Sequence, residues 1–314
     1  MPVGSSDQGV GLGAGDIMLG GTFNYQFIDW RHDPTPDENF EHLGTLSAMV
    51  VSPNITIGLS DWWNITFTQA LGKRYMTWGR EEESDHHRDE GSESNFINSI
   101  GGYLGDSRIM VRYLFLNAGK GIGSRLFFGG GIVIPSKNTL TSDPFFLETG
   151  NVEEHRHFSM SEGVYKAVFE TQFYIKRVKN PVFVGGTLLV EQPLRENDYG
   201  FKASRLIDLS FMAYTKNIKS LKGSLGASFM VRHTNKAYWN GIAAPNSESV
   251  LLIPGLGILW NFKFATVMLN LQKPTFMKGS AAGTTAYLNE NTEVWQLSLS
   301  MRKILDYTIP WLYW

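Results

Sequence analysis

Three stretches hold residue types that could do chemistry. His157 and Ser159 stand two apart, so in an extended segment both side chains lie on one face, as a nucleophile and its base require. No third residue that would orient the base is evident nearby, and the pair falls where a loop enters a strand. Asp85-His86-His87-Arg88-Asp89-Glu90 carries metal-capable groups. Adjacent residues of an extended chain point apart, however, and a guanidinium sits among them, so a solvated acidic loop is the better reading. Gly129-Gly130-Gly131 lies inside a strand pattern with no helix after it, which argues for close packing or bending of a sheet rather than a phosphate cradle. No catalytic residue, metal or cofactor is expected.

A different set of polar residues recurs with a regular period: Arg108, Arg112, Lys166, Glu170, Asp208, Arg232, Asn270 and Gln296. Each alternates with apolar residues. From Ser107 to Phe115 the odd positions suit an apolar medium while Arg108, Met110 and Arg112 fall between them. A period of two puts the sets on opposite faces of a strand, and so in two different solvents. The same alternation continues from Leu126 to Ile134 after a short polar turn. It returns in Asp16 to Ile28, Thr45 to Ile57, Trp63 to Leu71, Gly163 to Lys176, Pro181 to Gln192, Phe201 to Tyr214, Gly223 to His233, Val250 to Trp260, Phe264 to Lys273 and Thr292 to Arg302. Runs of about ten residues suit a strand tilted across a bilayer.

That makes about twelve strands. Their connections alternate between short turns near residues 59, 120, 178, 219 and 262 and mostly longer polar loops near 36, 90, 148, 197, 241 and 284. The expected fold is all-β: a transmembrane antiparallel barrel of the bacterial outer membrane, with short periplasmic turns and long extracellular loops. Closure is the physical reason, because in lipid every backbone N–H and C=O must find a partner within the protein. The expected lipid-facing set is Ile109, Val111, Phe127 or Phe128, Phe169, Leu209, Phe229, Leu269 and Leu297. Trp30, Trp62, Trp63, Tyr75, Trp78, Trp239 and Trp260 fall near strand ends, where aromatic girdles sit.

Composition removes other classes. Of 314 residues 18% are charged and the net charge is −2, which gives no footprint for nucleic acid. No apolar run approaches the roughly 18 residues of a membrane helix, and the absence of Cys excludes disulfides and thiolate metal sites. Residues 1–15 form a Gly-rich segment, periplasmic or lumenal, without the basic and apolar parts of a signal peptide, so a mature exported chain is expected. The barrel is expected over 16–303 and an apolar aromatic tail over 304–314. The tail, Ile304 to Trp314, is expected to leave the last strand near Lys303 and to bury its rings at the periplasmic interface, in the barrel mouth or against an envelope partner, since Pro310 cannot donate a ladder hydrogen bond.

Several short pieces carry a resemblance. Gly105-Asp106-Ser107-Arg108, Tyr113-Leu114-Phe115, Ile132-Val133-Ile134-Pro135-Ser136, Ile57-Gly58-Leu59-Ser60-Asp61-Trp62, Leu252-Ile253-Pro254-Gly255-Leu256 and Gln272-Lys273-Pro274 resemble outer-membrane proteins described as belonging to the MetA pathway of phenol degradation. The likeness runs from about Gly13 to Arg302. It implies a transporter-like barrel for small, often aromatic or hydrophobic compounds, and it supplies no catalytic or ligand residues. Ser136-Lys137 departs from the Thr-Gly usual after that Pro, and the tail is a second departure.

Two functions follow: a pore for small molecules in outer-membrane lipid, or a closed barrel serving as a structural or docking subunit. An outer-membrane phospholipase-type hydrolase using His157 and Ser159 is a weaker third. The inward charges could line a path or pair with one another and fill the lumen. Met110, Tyr174, Met212, Met230 and Met268 would narrow it, against a wide general porin.

Overall fold

The computed structural model describes residues 12–32, 42–79, 89–119, 122–145, 155–244, 247–279 and 291–313. Residues 85–88 of the acidic loop lie outside them. Twelve long strands make the wall: β1 (Asp16–His32), β2 (His42–Gly58), β3 (Trp63–Trp78), β4 (Leu104–Ala118), β5 (Gly123–Ile134) and β6 (Lys166–Lys176) come first. They are followed by β7 (Phe183–Pro193), β8 (Leu206–Tyr214), β9 (Ser224–Thr234), β10 (Ser249–Asn261), β11 (Thr266–Gln272) and β12 (Asn291–Thr308). Each pairs antiparallel with its sequence neighbours, and β12 pairs with β1, so the wall closes on itself.

Side-chain parity sorts the residues into two media. Ile109, Val111, Phe169, Leu209, Phe229, Leu269 and Leu297 share the outer face, and Arg108, Arg112, Glu170, Asp208, Asn270 and Gln296 the inner one. The choice between two neighbouring phenylalanines resolves plainly, since Phe127 is 2% exposed within the lumen and Phe128 is 45% exposed on the outside. Gly131 shows why the wall takes glycine there: a Cβ would stand 2.1 Å from the Ile109 carbonyl oxygen.

Several expectations are corrected. The strand expected over Phe201 to Tyr214 divides into a two-residue strand, Phe201–Lys202, and β8. Phe201–Lys202 joins Tyr238–Trp239 and Ile242–Ala243 in a small sheet of the long-loop end. β11 stops at Gln272, because Pro274 has no N–H for the ladder; Thr275–Lys278 then pairs with β10 alone. The last strand does not end near Lys303. It runs to Thr308, with Ile304 opposite Met18 and Thr308 opposite Asp16, because the first residues of β1 need ladder partners. A 3₁₀ turn, Pro310–Leu312, follows, and Trp311 and Tyr313 remain exposed on the outside of the chain.

The topology gives a direct check. The chain has no Cys, so single cysteines report cleanly. Ile97, in the long loop between β3 and β4, and Lys219, in the short turn between β8 and β9, are both exposed. A membrane-impermeant maleimide should label Ile97→Cys on intact cells and Lys219→Cys only after the outer membrane is opened. The reverse pattern would invert the barrel.

Candidate functional site

The lumen is divided into an outer and an inner cavity. On β6 the side chains descend from the long-loop end as Lys166, Glu170, Gln172, Tyr174 and Lys176. The first two line the outer cavity of about 320 Å³ and the last two an inner cavity of about 350 Å³. Gln172, between them, is 1% exposed. At that level the barrel is filled by its own side chains.

The filling is a hydrogen-bonded chain built by strand parity. The Arg112 Nε donates to Glu170 Oε2 at 2.7 Å, and its Nη1 donates to the Thr66 hydroxyl at 2.8 Å. Thr66 and Thr56 hydroxyls lie 2.9 Å apart. Gln172 Nε2 donates to the other Glu170 oxygen, and the Tyr174 hydroxyl donates to Gln172 Oε1 at 2.9 Å. A buried charge is tolerable only when paired and hydrogen-bonded, and both conditions hold for Arg112 and Glu170.

The outer cavity continues this pattern of pairing. Arg232 grips Asp208 with two bonds, 2.8 and 2.7 Å, a fork-to-carboxylate geometry that fixes both side chains. Arg108 pairs with Glu191, and Lys166 lies 2.6 Å from Glu162 and 3.7 Å from Glu191. The structure thus brings Arg108, Arg112, Lys166, Glu170, Asp208 and Arg232 to one cavity wall. Asn270 and Gln296 share the inner face elsewhere and do not line it. Glu191 and Thr66 were missed by sequence reasoning. The signal for Glu191 was available, as it shares the parity of Gly185 and Thr187 on β7, opposite to Leu188 and Val190.

The aromatic girdle is narrower than expected. Trp62 and Trp63 are exposed at the turn between β2 and β3, and the Trp260 indole N–H reaches the Leu221 carbonyl at 3.2 Å. Trp30 has the parity of Thr22 and Asn24, so it faces inward, where it packs with Ile28, Val294 and Trp78; the Trp30 and Trp78 rings meet edge to face at 5.1 Å. Gly44 permits this, since a Cβ there would lie 2.5 Å from the Trp30 ring. Trp239 belongs to the small loop sheet and lies against the Phe201 ring, at 4.8 Å. These three tryptophans are internal, not interfacial.

Loops at the long-loop end form a third, open cavity of about 490 Å³ lined by Phe145, Phe158, Trp239, Arg74 and others. His157 and Ser159 both lie on it. The Ser159 hydroxyl donates to the Ser161 carbonyl, while the His157 ring meets Trp78 and Phe145 edge to face and His155 at a tilt. Among the described residues no group of His, Asp and Glu is arranged to hold a metal.

The same loops carry one strongly displaced carboxyl group. Burial pushes Glu90 up to about 8, against the opposing influence of the His157 N–H, which it accepts at 3.0 Å, and of the Arg156 charge. A folded-state pKa above the unfolded value means that the folded loops hold the proton more tightly. Its stabilisation is therefore full below about 4.5, falls as pH rises toward about 8, and is level above that. Protection of the His157 amide from hydrogen exchange should fall across this window, and Glu90→Gln should flatten that response. An unchanged slope in the variant would remove Glu90 as the cause.

No family model and no curated protein matches the chain. Among solved structures it is similar to a COG4313 outer membrane channel from Pseudomonas putida F1, at 12% identity over 95% of this chain and 99% of that one, with a TM-score of 0.62. The fold is that of a bacterial outer-membrane β-barrel. Weaker likenesses include the TodX monoaromatic hydrocarbon channel in a deltaS2 mutant form, at 9% identity over 93% and 91% of the two chains with a TM-score of 0.45. A Pseudomonas aeruginosa FadL homologue matches at 8% over 92% and 90% with a TM-score of 0.44. These two share only the general barrel plan.

Proposed function

We propose that the protein is an outer-membrane channel for small, largely apolar or aromatic molecules, of the kind the MetA-pathway resemblance implies. The observation that carries this reading is the divided lumen: two cavities of about 320 and 350 Å³, each of the size of a small-molecule site, separated by one layer of polar side chains. A purely structural barrel has no use for two such cavities stacked along its axis. A wide porin would not fill the level between them. The channel described from Pseudomonas putida has the same overall fold, which is consistent with this use.

A lateral exit is a second reading, supported by the break at Lys273-Pro274, above which β11 and β12 no longer share a ladder. Conductance of the purified protein in a planar bilayer separates the possibilities. Small discrete openings are the expected result for an axial path. Silence, together with uptake of an apolar aromatic into intact cells, would favour the lateral route. Silence without uptake would leave the structural or docking role and sink the channel reading.

A further inference from the structure

We propose that three neighbouring periplasmic turns form a binding surface for the phosphate groups of anionic glycerophospholipids. The inference goes beyond the channel reading and holds whatever the lumen conducts. The turns are 176–182, joining β6 to β7, 215–223, joining β8 to β9, and 261–265, joining β10 to β11. They bring Arg177, Lys179, Lys216, Lys219, Lys222 and Lys263 to the surface, all of them exposed. None of the three segments contains an Asp or Glu of its own. Contacts join them into one surface: the Lys216 N–H donates to Asn180 Oδ1 at 2.8 Å, and the Trp260 indole N–H, at the foot of the third hairpin, donates to the Leu221 carbonyl at 3.2 Å. Elsewhere on this rim the sign changes, for β1 begins with Asp16 and the turn between β2 and β3 carries Asp61. A surface of one sign attracts ions of the other.

Their place on the wall favours lipid over a soluble acidic partner. The three hairpins follow one another around the sheet, so the cations form an arc along the rim rather than a bridge across the mouth. Each turn adjoins a lipid-facing side chain: Ile175 on β6, Leu225 on β9 and Trp260 on β10. Arg177 stands two residues beyond Ile175, about 5 Å along the barrel axis for a tilted strand. The headgroup layer is itself about 5–7 Å deep on each side of the hydrocarbon, so the arc starts within it, and the flexible stems of Lys219 and Lys222 reach back toward it. Apolar groups alternate with the cations. Val178, Leu221, Phe262 and Phe264 are exposed, and the two phenylalanine rings stack at 5.4 Å with their planes 11° apart. At this depth the apolar groups meet the glycerol and upper acyl region, while the ammonium and guanidinium groups meet phosphate. Lys222 adds an independent observation. Its φ of 49° is in the left-handed region where Gly or Asn is ordinary, so the turn holds a cation at a position whose backbone favours another residue.

The test places a bimane fluorophore on Leu225→Cys, beside the arc, or on Ile65→Cys, beside the turn that carries Asp61, in the full chain reconstituted into phosphatidylcholine vesicles. Quenching by a minor fraction of phosphatidylglycerol brominated in its acyl chains is compared with quenching by brominated phosphatidylcholine. Local enrichment of phosphatidylglycerol by about fivefold or more is expected at Leu225, and none at Ile65. The enrichment should fall toward unity in about 0.5 M salt. Lys216→Gln/Lys219→Gln/Lys222→Gln should remove most of it. Arg195→Gln/Lys202→Gln/Lys236→Gln, which neutralises three exposed cations of the long-loop end, should leave it unchanged. Retarded, heat-modifiable gel migration confirms that each variant is folded. Equal quenching by the two lipids at Leu225, the same enrichment at Leu225 and Ile65, or enrichment that survives the first triple substitution would each overturn the proposal. Charge-dependent binding of soluble poly-glutamate without phosphatidylglycerol enrichment would overturn it in favour of an acidic protein partner.

Discussion

Replacing Arg112 by alanine is expected to lower the unfolding free energy of the barrel by about 3–5 kcal/mol, the usual result of breaking a buried ion pair from one side. Glu170 would remain buried in the lumen with, among the described residues, the Gln172 amide as its hydrogen-bond partner. Thr66 would lose its guanidinium partner as well. Urea unfolding from lipid vesicles, followed by tryptophan fluorescence, measures the change. The companion variant Arg112→Met/Glu170→Leu should recover most of the loss, because it removes both charges and keeps bulk in the same place. If Arg112→Ala costs less than about 1 kcal/mol, the pair is not the keystone of the polar layer. The same variant should also raise single-channel conductance, since the side chain removed is one of those that separate the two cavities.

The second large effect belongs to the outer surface. Leu209 lies in the middle of β8, flanked on the same face by Leu188 of β7 and Val231 of β9. A lipid-facing arginine there should cost about 2–4 kcal/mol, the range for a cation near the bilayer midplane. Its neighbour Asp208 is paired on the opposite face, so a one-residue error in register would exchange the two results. Leu209→Met should be nearly silent. A neutral outcome for Leu209→Arg would mean that this part of the wall faces water.

The fold was legible because the strongest signals in the sequence are those that closure in lipid demands: a two-residue period and alternating loop lengths. The outer charged cavity was legible too, since Arg108, Arg112, Lys166, Glu170, Asp208 and Arg232 all oppose apolar neighbours. The tryptophans were harder. A position near a strand end suits an interface and a lumen mouth equally, and only the parity of Trp30 with Asn24 separates them. The strand end at Thr308 was hidden for a different reason. Lys303 and Asp306 break the alternation locally, while the feature that holds those residues in the ladder is the start of β1, nearly the whole chain away. The inner cavity needed the tertiary structure, because Arg125, Lys176 and Arg302 are separated in sequence and come to one cavity only when the barrel is closed.

The seam between β1 and β12 also sets the order in which the molecule is made. It joins the two wall strands that are furthest apart in sequence, with Ser298 Oγ reaching Asn24 Oδ1 across it at 2.7 Å. Every other strand can find a neighbour as it emerges, yet until β12 arrives β1 offers one side of its backbone unpaired. Such an edge cannot wait in hydrocarbon, and in water it invites pairing with any other strand. The exposed side of β1 is satisfied only when β12 takes its place beside it. Weakening this one ladder should slow maturation far more than it lowers the stability of barrels already closed.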